Sequence, residues 1–259
     1  MKRKILLVED NPEMLEVITD ELSEHYQVQA ARDGIQAIKV LKNESVDLVI
    51  TDIMMPFMDG FELCKTIKSD VEFSHVPVIL LTAKNTLQSK IEGLGLGADA
   101  YIEKPFDPEL LLAQIANLLD NRRKLKQHFA HSPIAKLNSM AYTHSDEFFL
   151  EKLDATIQNN IDDTDLDVDK LARLMNLGRT SLFRKIKSLT DLTPNELVNI
   201  TRLKKAAELL ASDDLLIYEV SVMVGYRSQT NFGRNFLKQF GMSPKDFQKS
   251  KRGGKAENK

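Results

Sequence analysis

The chain has 259 residues, 42% of them apolar and 28% charged, with a formal net charge of -3; this length exceeds one ordinary domain and points to two, each able to bury a core. No run approaches the roughly 18 apolar residues that a membrane span needs, and MKRKILLVED passes from a short basic start into a strand without a signal-peptide cleavage region, so a cytoplasmic protein is expected. Cys64 is the single cysteine, which excludes an internal disulfide and a cysteine-based zinc cluster and fits a reducing compartment.

In the first half, short apolar runs bounded by turn residues recur as KILLVED, YQVQAA, DLVITD, VPVILLTA and AYIEKPF. Between them lie stretches with helical spacing, such as Leu15, Ile18 and Leu22 after the Asn11-Pro12 start signal, and Leu111, Ile115 and Leu118 after Asp107-Pro108. Five strands and five helices in alternation predict an α/β domain over residues 1–120, a doubly wound five-stranded parallel sheet. GLGLGAD, residues 93–99, has the glycines of a dinucleotide loop but follows a helix and precedes a strand, the reverse of the order that motif requires; it reads as a helix end and turn.

Ligand sites of such sheets lie at the carboxyl ends of the strands. Collected there are Glu9 and Asp10 after the first run, Asp52 after the third, Thr82 after the fourth and Lys104 after the fifth. Each alone is an ordinary loop or surface residue; together they are three carboxylates, a hydroxyl and an ammonium on one edge. Crowded acids repel, and a hard divalent cation relieves them, Mg²⁺ being favoured because it accepts a few carboxylates plus waters and phosphate oxygens. A phosphoryl group on Asp52 would then have the metal on one side and Thr82 and Lys104 on the other, an arrangement suited to stabilising transferred phosphoryl.

Glu9-Asp10, Asp52 followed by Met55-Pro56 and Asp59-Gly60, Thr82-Ala83 and Lys104-Pro105 resemble the receiver domain of two-component response regulators, across residues 3–120. The resemblance implies that Asp52 is the phosphoacceptor, served by a histidine kinase, and that Glu9, Asp10, Asp52 and the backbone carbonyl of Met54 hold Mg²⁺. It further implies that Thr82 and Tyr101 form a switch pair and that Lys104-Pro105 is a cis peptide. Haloacid-dehalogenase-type phosphatases also phosphorylate an aspartate at a strand end, but they carry a second Asp two residues later, where this chain has Met54. Turnover of outside substrates is not expected, so the chain is read as no enzyme beyond its own phosphorylation and dephosphorylation.

The second half has the opposite charge: residues 170–259 carry 18 Lys+Arg against 8 Asp+Glu, whereas residues 1–120 carry 11 against 21. A basic half suits a polyanion, although a solvated helical face is basic too. Residues 121–145, mixing charge, His and Ser around Pro133, read as a helical extension and linker; His128 and His131 lack a further metal ligand nearby and read as a solvated face. DVDKLARLMNLGRTSLFRKIK (167–187) has an Asp167 cap, an amphipathic helix, a turn at Asn176 to Gly178 and a second helix. LIYEVSVMVGYRSQTNFGRNFLKQFG (216–241) repeats the plan about 50 residues on, with its turn at Gly225. Between them TPNELVNITRLKKAAELL (193–210) reads as a connecting helix capped by Thr193.

Two helix-turn-helix units held one DNA turn apart, roughly 34 Å, can enter successive major grooves. The outward residues suit base edges: Arg179, Thr180, Ser181 and Arg184 in the first, and Ser228, Gln229, Thr230, Asn231 and Arg234 in the second; Lys185, Lys187, Lys204 and Lys238 suit phosphates. LFRKIK, RLKKAAELL and VGYRSQTNFGRNFLKQFGMSP, with the repeat spacing, resemble the AraC-type DNA-binding domain across 146–249. Two positions depart from its pattern: Ser221 stands for a small alanine, and Phe183 for a polar reader. Residues 250–259 have no apolar spacing and are expected to be disordered.

The combined resemblance implies a phosphorylation-controlled transcription regulator that binds double-stranded DNA, pairs as a homodimer when phosphorylated and can meet RNA polymerase. SHVPVILLTAK and IEGLGLGADAYIEKPF beside an AraC-type output resemble the cytoplasmic end of hybrid two-component systems, whose kinase belongs to the same polypeptide. A phosphorelay intermediate acting through protein partners is the alternative.

Overall fold

A computed structural model describes residues 2–83, 95–131, 143–212 and 215–256. The chain divides into two compact units, Met1–Gln127 with Ala141–Glu147, and His128–Met140 with Phe148–Lys259. Among the described residues no helix is long and apolar enough to cross a membrane.

The first unit is a parallel sheet of β1 (Lys4–Val8), β2 (Gln27–Ala31), β3 (Leu48–Asp52), β4 (Val78–Thr82) and β5 (Ala100–Glu103) in the order β2-β1-β3-β4-β5. Its helices are α1 (Pro12–Ser23), α2 (Gly34–Asn43), α3 (Gly60–Ser69) and α4 (Pro108–His131). The helix expected after Thr82 falls mainly outside the described residues. β3 and β4 are buried at every position, as strands covered on both faces must be. Alternate side chains serve opposite cores: Leu6, Val8, Val49, Val78 and Leu80 pack with Leu41, Leu63 and Ile67, and Ile5, Leu7, Ile50, Ile79 and Leu81 pack with Ile18, Leu22, Leu111 and Ile115.

The helices begin where short polar side chains take up unpaired amides. Asn11 accepts from Glu13 and Met14, Asp33 from Gln36 and Asp59 from Glu62. Gly60 starts α3 because a Cβ there would lie 2.2 Å from the Asp52 carbonyl oxygen; only glycine lets this helix approach the end of β3 so closely. Gly97, at the end of GLGLGAD, has φ 89°, in keeping with a turn.

At the amino edge of the sheet a charge cluster ties distant segments together. The Lys68 ammonium, nearly enclosed, lies 2.6 Å from Asp99 Oδ2 and donates to the Val76 carbonyl at 2.9 Å. Asp99 also accepts from the Val78 amide at 2.8 Å and pairs with Arg122 at 3.2 Å. Burial lowers the Lys68 pKa, opposed by the Asp99 charge.

The second unit is helical: α5 (His144–Gln158, which starts in the first unit), α6 (Val168–Met175), α7 (Arg179–Thr190), α8 (Pro194–Ser212), α9 (Ile217–Met223), α10 (Gln229–Phe240) and α11 (Pro244–Ala256). Asp167 caps α6 by accepting from the Lys170 amide, and Asn176 ends it in the left-handed region at φ 56°. Thr193 and Glu196 cap α8 reciprocally, Thr193 N–H donating to Glu196 Oε2 at 2.8 Å and the Glu196 amide to Thr193 Oγ1 at 3.3 Å. Leu203, Leu210, Val220, Val224, Phe232 and Phe236 form one apolar cluster of this unit, edged by Phe240 and Phe247. α11, capped by Ser243 and Asp246, runs to Ala256.

Cys64 is fully buried and burial pushes its thiol up to about 11, so its alkylation at neutral pH requires the unit to open. Asp99→Ala leaves Lys68 without its carboxylate and should destabilise this unit by about 3 kcal/mol. Iodoacetamide labelling of Cys64 under native conditions should then accelerate about a hundredfold; an unchanged labelling rate would show that the cluster contributes nothing to stability.

Candidate functional site

The strand order reverses between β1 and β3, and the crevice at their carboxyl ends is the expected ligand position. Glu9 follows β1, its amide donating to the Ala31 carbonyl at 3.1 Å and its Oε1 accepting from the Asn11 amide at 3.3 Å. Asp52 ends β3, 8% exposed, and the Ile53 amide donates to its Oδ1 at 2.7 Å. Asp10 lies beside them, exposed. One ligand oxygen from each of Glu9, Asp10 and Asp52 comes within 4.8 Å of the others.

Lys104 answers this negative charge from the far side. Its Nζ lies 2.6 Å from Glu9 Oε2 and 3.1 Å from Asp52 Oδ2, and its amide donates to the Thr82 carbonyl at 2.7 Å, fixing the end of β5 beside β4. Burial raises the Glu9 pKa, the Lys104 hydrogen bond and charge pull it down, and the nearby Asp52 charge raises it further. Thr82 is 1% exposed. Lys104-Pro105 is cis. Three hard oxygen donors at one crevice match the donor set that Mg²⁺ takes, a few carboxylates with open positions for water and phosphate.

After Asp52 the chain turns through Pro56, Asp59 and Gly60, as the residue types there suggest. Met58 N–H donates to the Pro56 carbonyl at 2.8 Å, closing a three-residue turn around Phe57, whose φ is 67° and whose side chain is 84% exposed. Met54, 60% exposed, stands at the same loop.

In the second unit α6–α7 and α9–α10 are the two helix-turn-helix pairs. Arg179, Thr180, Gln229, Thr230, Asn231 and Arg234 are exposed, and Ser181, Arg184 and Ser228 are half-buried. Ser228 has a local duty as well, since its hydroxyl caps α10 by accepting from the Asn231 amide at 3.4 Å. Phe183 is 42% exposed. Lys185, expected to face phosphates, is 1% exposed, its ammonium 5.7 Å from the Phe149 ring centroid; it is an interior residue. Lys204 is half-buried, and burial lowers its pKa against the opposing charge of Asp154. Lys187 and Lys238 are exposed as expected.

Arg202 of α8 was not singled out from the sequence. Its Nε donates to the Ile161 carbonyl at 3.2 Å and its Nη2 to the Asp163 carbonyl at 2.5 Å. Gly225, at φ 75°, packs so tightly that a Cβ would lie 2.4 Å from the Ile161 oxygen and 2.8 Å from Arg202 Nη2. One guanidinium thus holds the loop before the first pair against the turn of the second.

The family model of the response regulator receiver domain matches residues 5–116, and that of a helix-turn-helix domain matches residues 171–250. Regulatory protein VanRc of Enterococcus gallinarum is 36% identical over 169 residues, covering 61% of this chain and 71% of that protein. The chain belongs to the response regulators. It joins a receiver domain to an AraC-type helix-turn-helix domain. Histidine kinase P4 of Formosa agariphila is 37% identical to the regulator over 247 residues, 95% of this chain and 18% of that kinase. Response regulator GtcR of Aneurinibacillus migulanus is 45% identical over 116 residues, 44% of this chain and 47% of that protein. The regulator therefore spans less than a fifth of the kinase and about half of GtcR.

Tyr101 of the regulator, on β5 opposite Leu80 of β4, packs its half-buried ring against the core shared by Leu80 and Ile67. Its hydroxyl is buried without a hydrogen-bond partner among the described residues, a costly state for a polar atom. Tyr101→Phe should leave the receiver's Tm unchanged or raise it, and Tyr101→Ala should destabilise it by about 2 kcal/mol or more. A drop of several degrees in Tyr101→Phe, by thermal denaturation, would mean that the hydroxyl is well bonded.

Proposed function

We propose that the chain is a phosphorylation-controlled transcription regulator of a two-component system, in which Asp52 accepts a phosphoryl group from a histidine kinase and the C-terminal unit binds double-stranded DNA. The supporting observation is the near-buried Asp52 carboxylate at the end of β3, with Glu9 and Asp10 oxygens within 4.8 Å and the Lys104 ammonium at 3.1 Å. Glu9, Asp10, Asp52 and the Met54 carbonyl are the groups that would hold Mg²⁺; bound there, the ion supplies charge neutralisation for phosphoryl oxygens.

The chain's own groups do the rest. Ile53 N–H fixes the plane of the Asp52 carboxylate through Oδ1. A carboxylate oxygen attacks phosphorus, the bond to the kinase histidine nitrogen breaks, and its electron pair returns to the imidazole. Lys104 meets the negative oxygens of the transferred group. The Thr82 hydroxyl moves toward that group and the Tyr101 ring turns inward, which reshapes the surface around β5 and α4. Receivers paired through that surface bring two output units onto one DNA, so the second binds at high effective concentration. Arg179, Thr180, Ser181, Arg184, Gln229, Thr230, Asn231 and Arg234 would meet base edges, and Lys187 and Lys238 phosphates, with Ser228 starting the second reading helix.

Acetyl phosphate with divalent metal should add one phosphoryl group to the chain, seen as a single mass increment. Asp52→Ala or EDTA should abolish it, whereas full labelling of Asp52→Ala would remove the assignment. A second measurement addresses the coupling. Beryllofluoride should shift the whole chain toward dimer in sedimentation and tighten its binding to duplex DNA. A chain that stays monomeric and binds equally in both states would leave phosphorylation to act through another partner, such as RNA polymerase. A chain that binds no duplex in a salt-dependent way would favour a phosphorelay intermediate.

A further inference from the structure

The second unit carries five aspartates between residues 162 and 169. Three of them, Asp162, Asp163 and Asp167, differ from the other two in position or duty. Asp167 caps α6, and Asp163 pairs with Lys170, which lowers its pKa first through that hydrogen bond. Asp162 is exposed. Asp165 and Asp169 instead reach the two reading helices. Asp169 Oδ2 lies 2.9 Å from Arg179 Nη1, and Arg179 is the first residue of α7. Asp165 pairs with Arg227, which immediately precedes the Ser228 cap of α10. Both helix-turn-helix pairs thus have one arginine at the entry of the reading helix, each held by a carboxylate from a single acidic stretch.

Neither pair contributes much to the fold. Arg179 and Asp169 side chains are 65% and 51% exposed, Arg227 and Asp165 68% and 74%; ion pairs this open to water are worth little and exchange partners readily. A guanidinium fork fits phosphate as well as carboxylate; the first residues of a reading helix enter the groove, so a residue just before the helix, as Arg227 is, stands at the groove's edge where the phosphates run. We propose that Arg227 is a DNA-phosphate contact at the entry of the second reading helix, where Arg179 stands at the entry of the first, and that Asp165 and Asp169 form an electrostatic gate which occupies both arginines until DNA displaces them. The inference rests on the DNA-binding reading above and adds to it the control of non-specific affinity. Every duplex must displace the two carboxylates, so sequence-independent binding is weakened, whereas a cognate site adds base contacts that offset the loss. Acids placed against the wrong partner are a recognised source of specificity.

The full chain with a labelled mixed-sequence 30-base-pair duplex tests this by salt titration of binding. The doubly substituted Asp165→Asn, Asp169→Asn chain should bind roughly fivefold tighter per removed carboxylate at about 0.15 M salt, with a salt slope steeper by up to about 2. Arg227→Ala should weaken binding to any duplex and flatten the slope by about 0.9, and Arg227→Lys should restore the slope because it restores the charge. Circular dichroism should be unchanged in all three, the side chains being exposed. If the parent chain binds and neither the double substitution nor Arg227→Ala changes affinity or slope, the gate is overturned while DNA binding stands. If Arg227→Lys behaves as Arg227→Ala, the arginine is structural and the phosphate assignment is overturned. If the parent chain shows no salt-dependent binding, the DNA-binding reading fails and the gate with it.

Discussion

The Lys104 ammonium lies 2.6 Å from Glu9 and 3.1 Å from Asp52, and the packing of the sheet's carboxyl edge depends on that one cation. Glu9 and Asp52 are 1% and 8% exposed, and two carboxylates so placed repel each other at a cost that a nearby cation offsets. β5 is separated from β3 by β4 and from β1 by two strands, so the lysine stem must cross the edge of the sheet to reach both acids. It can do so because the Lys104 amide is fixed to the Thr82 carbonyl, which holds the end of β5 level with the end of β4. The close approach of α3 through Gly60 serves the same edge, since it lets the loop after Asp52 turn away at once and leaves the carboxylate facing the crevice.

Much of this edge was legible in the sequence because parallel strands are short apolar runs and their ends are therefore easy to count. Once five runs were recognised, Glu9, Asp10, Asp52, Thr82 and Lys104 fell on one side by topology alone. The pairing of Lys104 with Glu9 was not legible, being a contact over 95 residues that depends on strand order. Lys185 shows the opposite failure. It sits at the spacing of Leu182, Ile186 and Leu189, all fully buried, so helical periodicity placed it inward; the habit of assigning lysine to the surface overrode a signal that was present.

The second unit solves a different problem, since two similar helix pairs must be held at fixed spacing by one connector. α8 is capped at its start by the Thr193–Glu196 exchange and contributes Leu203, Ala206 and Leu210 to the apolar cluster it shares with α9 and α10, while Arg202 on the same helix ties the 161–163 loop to the turn at Gly225. Hydrophobic packing alone leaves a helix free to slide or rotate by small amounts. A half-buried guanidinium donating to two backbone carbonyls does not allow this, because each displaced bond would leave a polar group unsatisfied. The tyrosine hydroxyl of Tyr226 and the Asn235 amide, both meeting Asn199 of α8, restrict the same junction from the side of α10.

Both units store cations on carboxylates, and burial separates the two uses. At Lys104 the partners are nearly enclosed, the interaction is screened little, and salt at physiological strength changes it slightly; releasing that lysine requires a new negative group at the same spot, which under the proposed function is the phosphoryl on Asp52. At Arg179 and Arg227 the pairs stand in water, so their strength falls with salt and any polyanion at sufficient concentration competes for them. The first arrangement responds to covalent chemistry at one atom and ignores the ionic surroundings. The second responds to the density of phosphates presented to a surface. The same carboxylate-cation pair thus gives a response to one covalent group or to the surrounding ions, according to how much water is admitted to it.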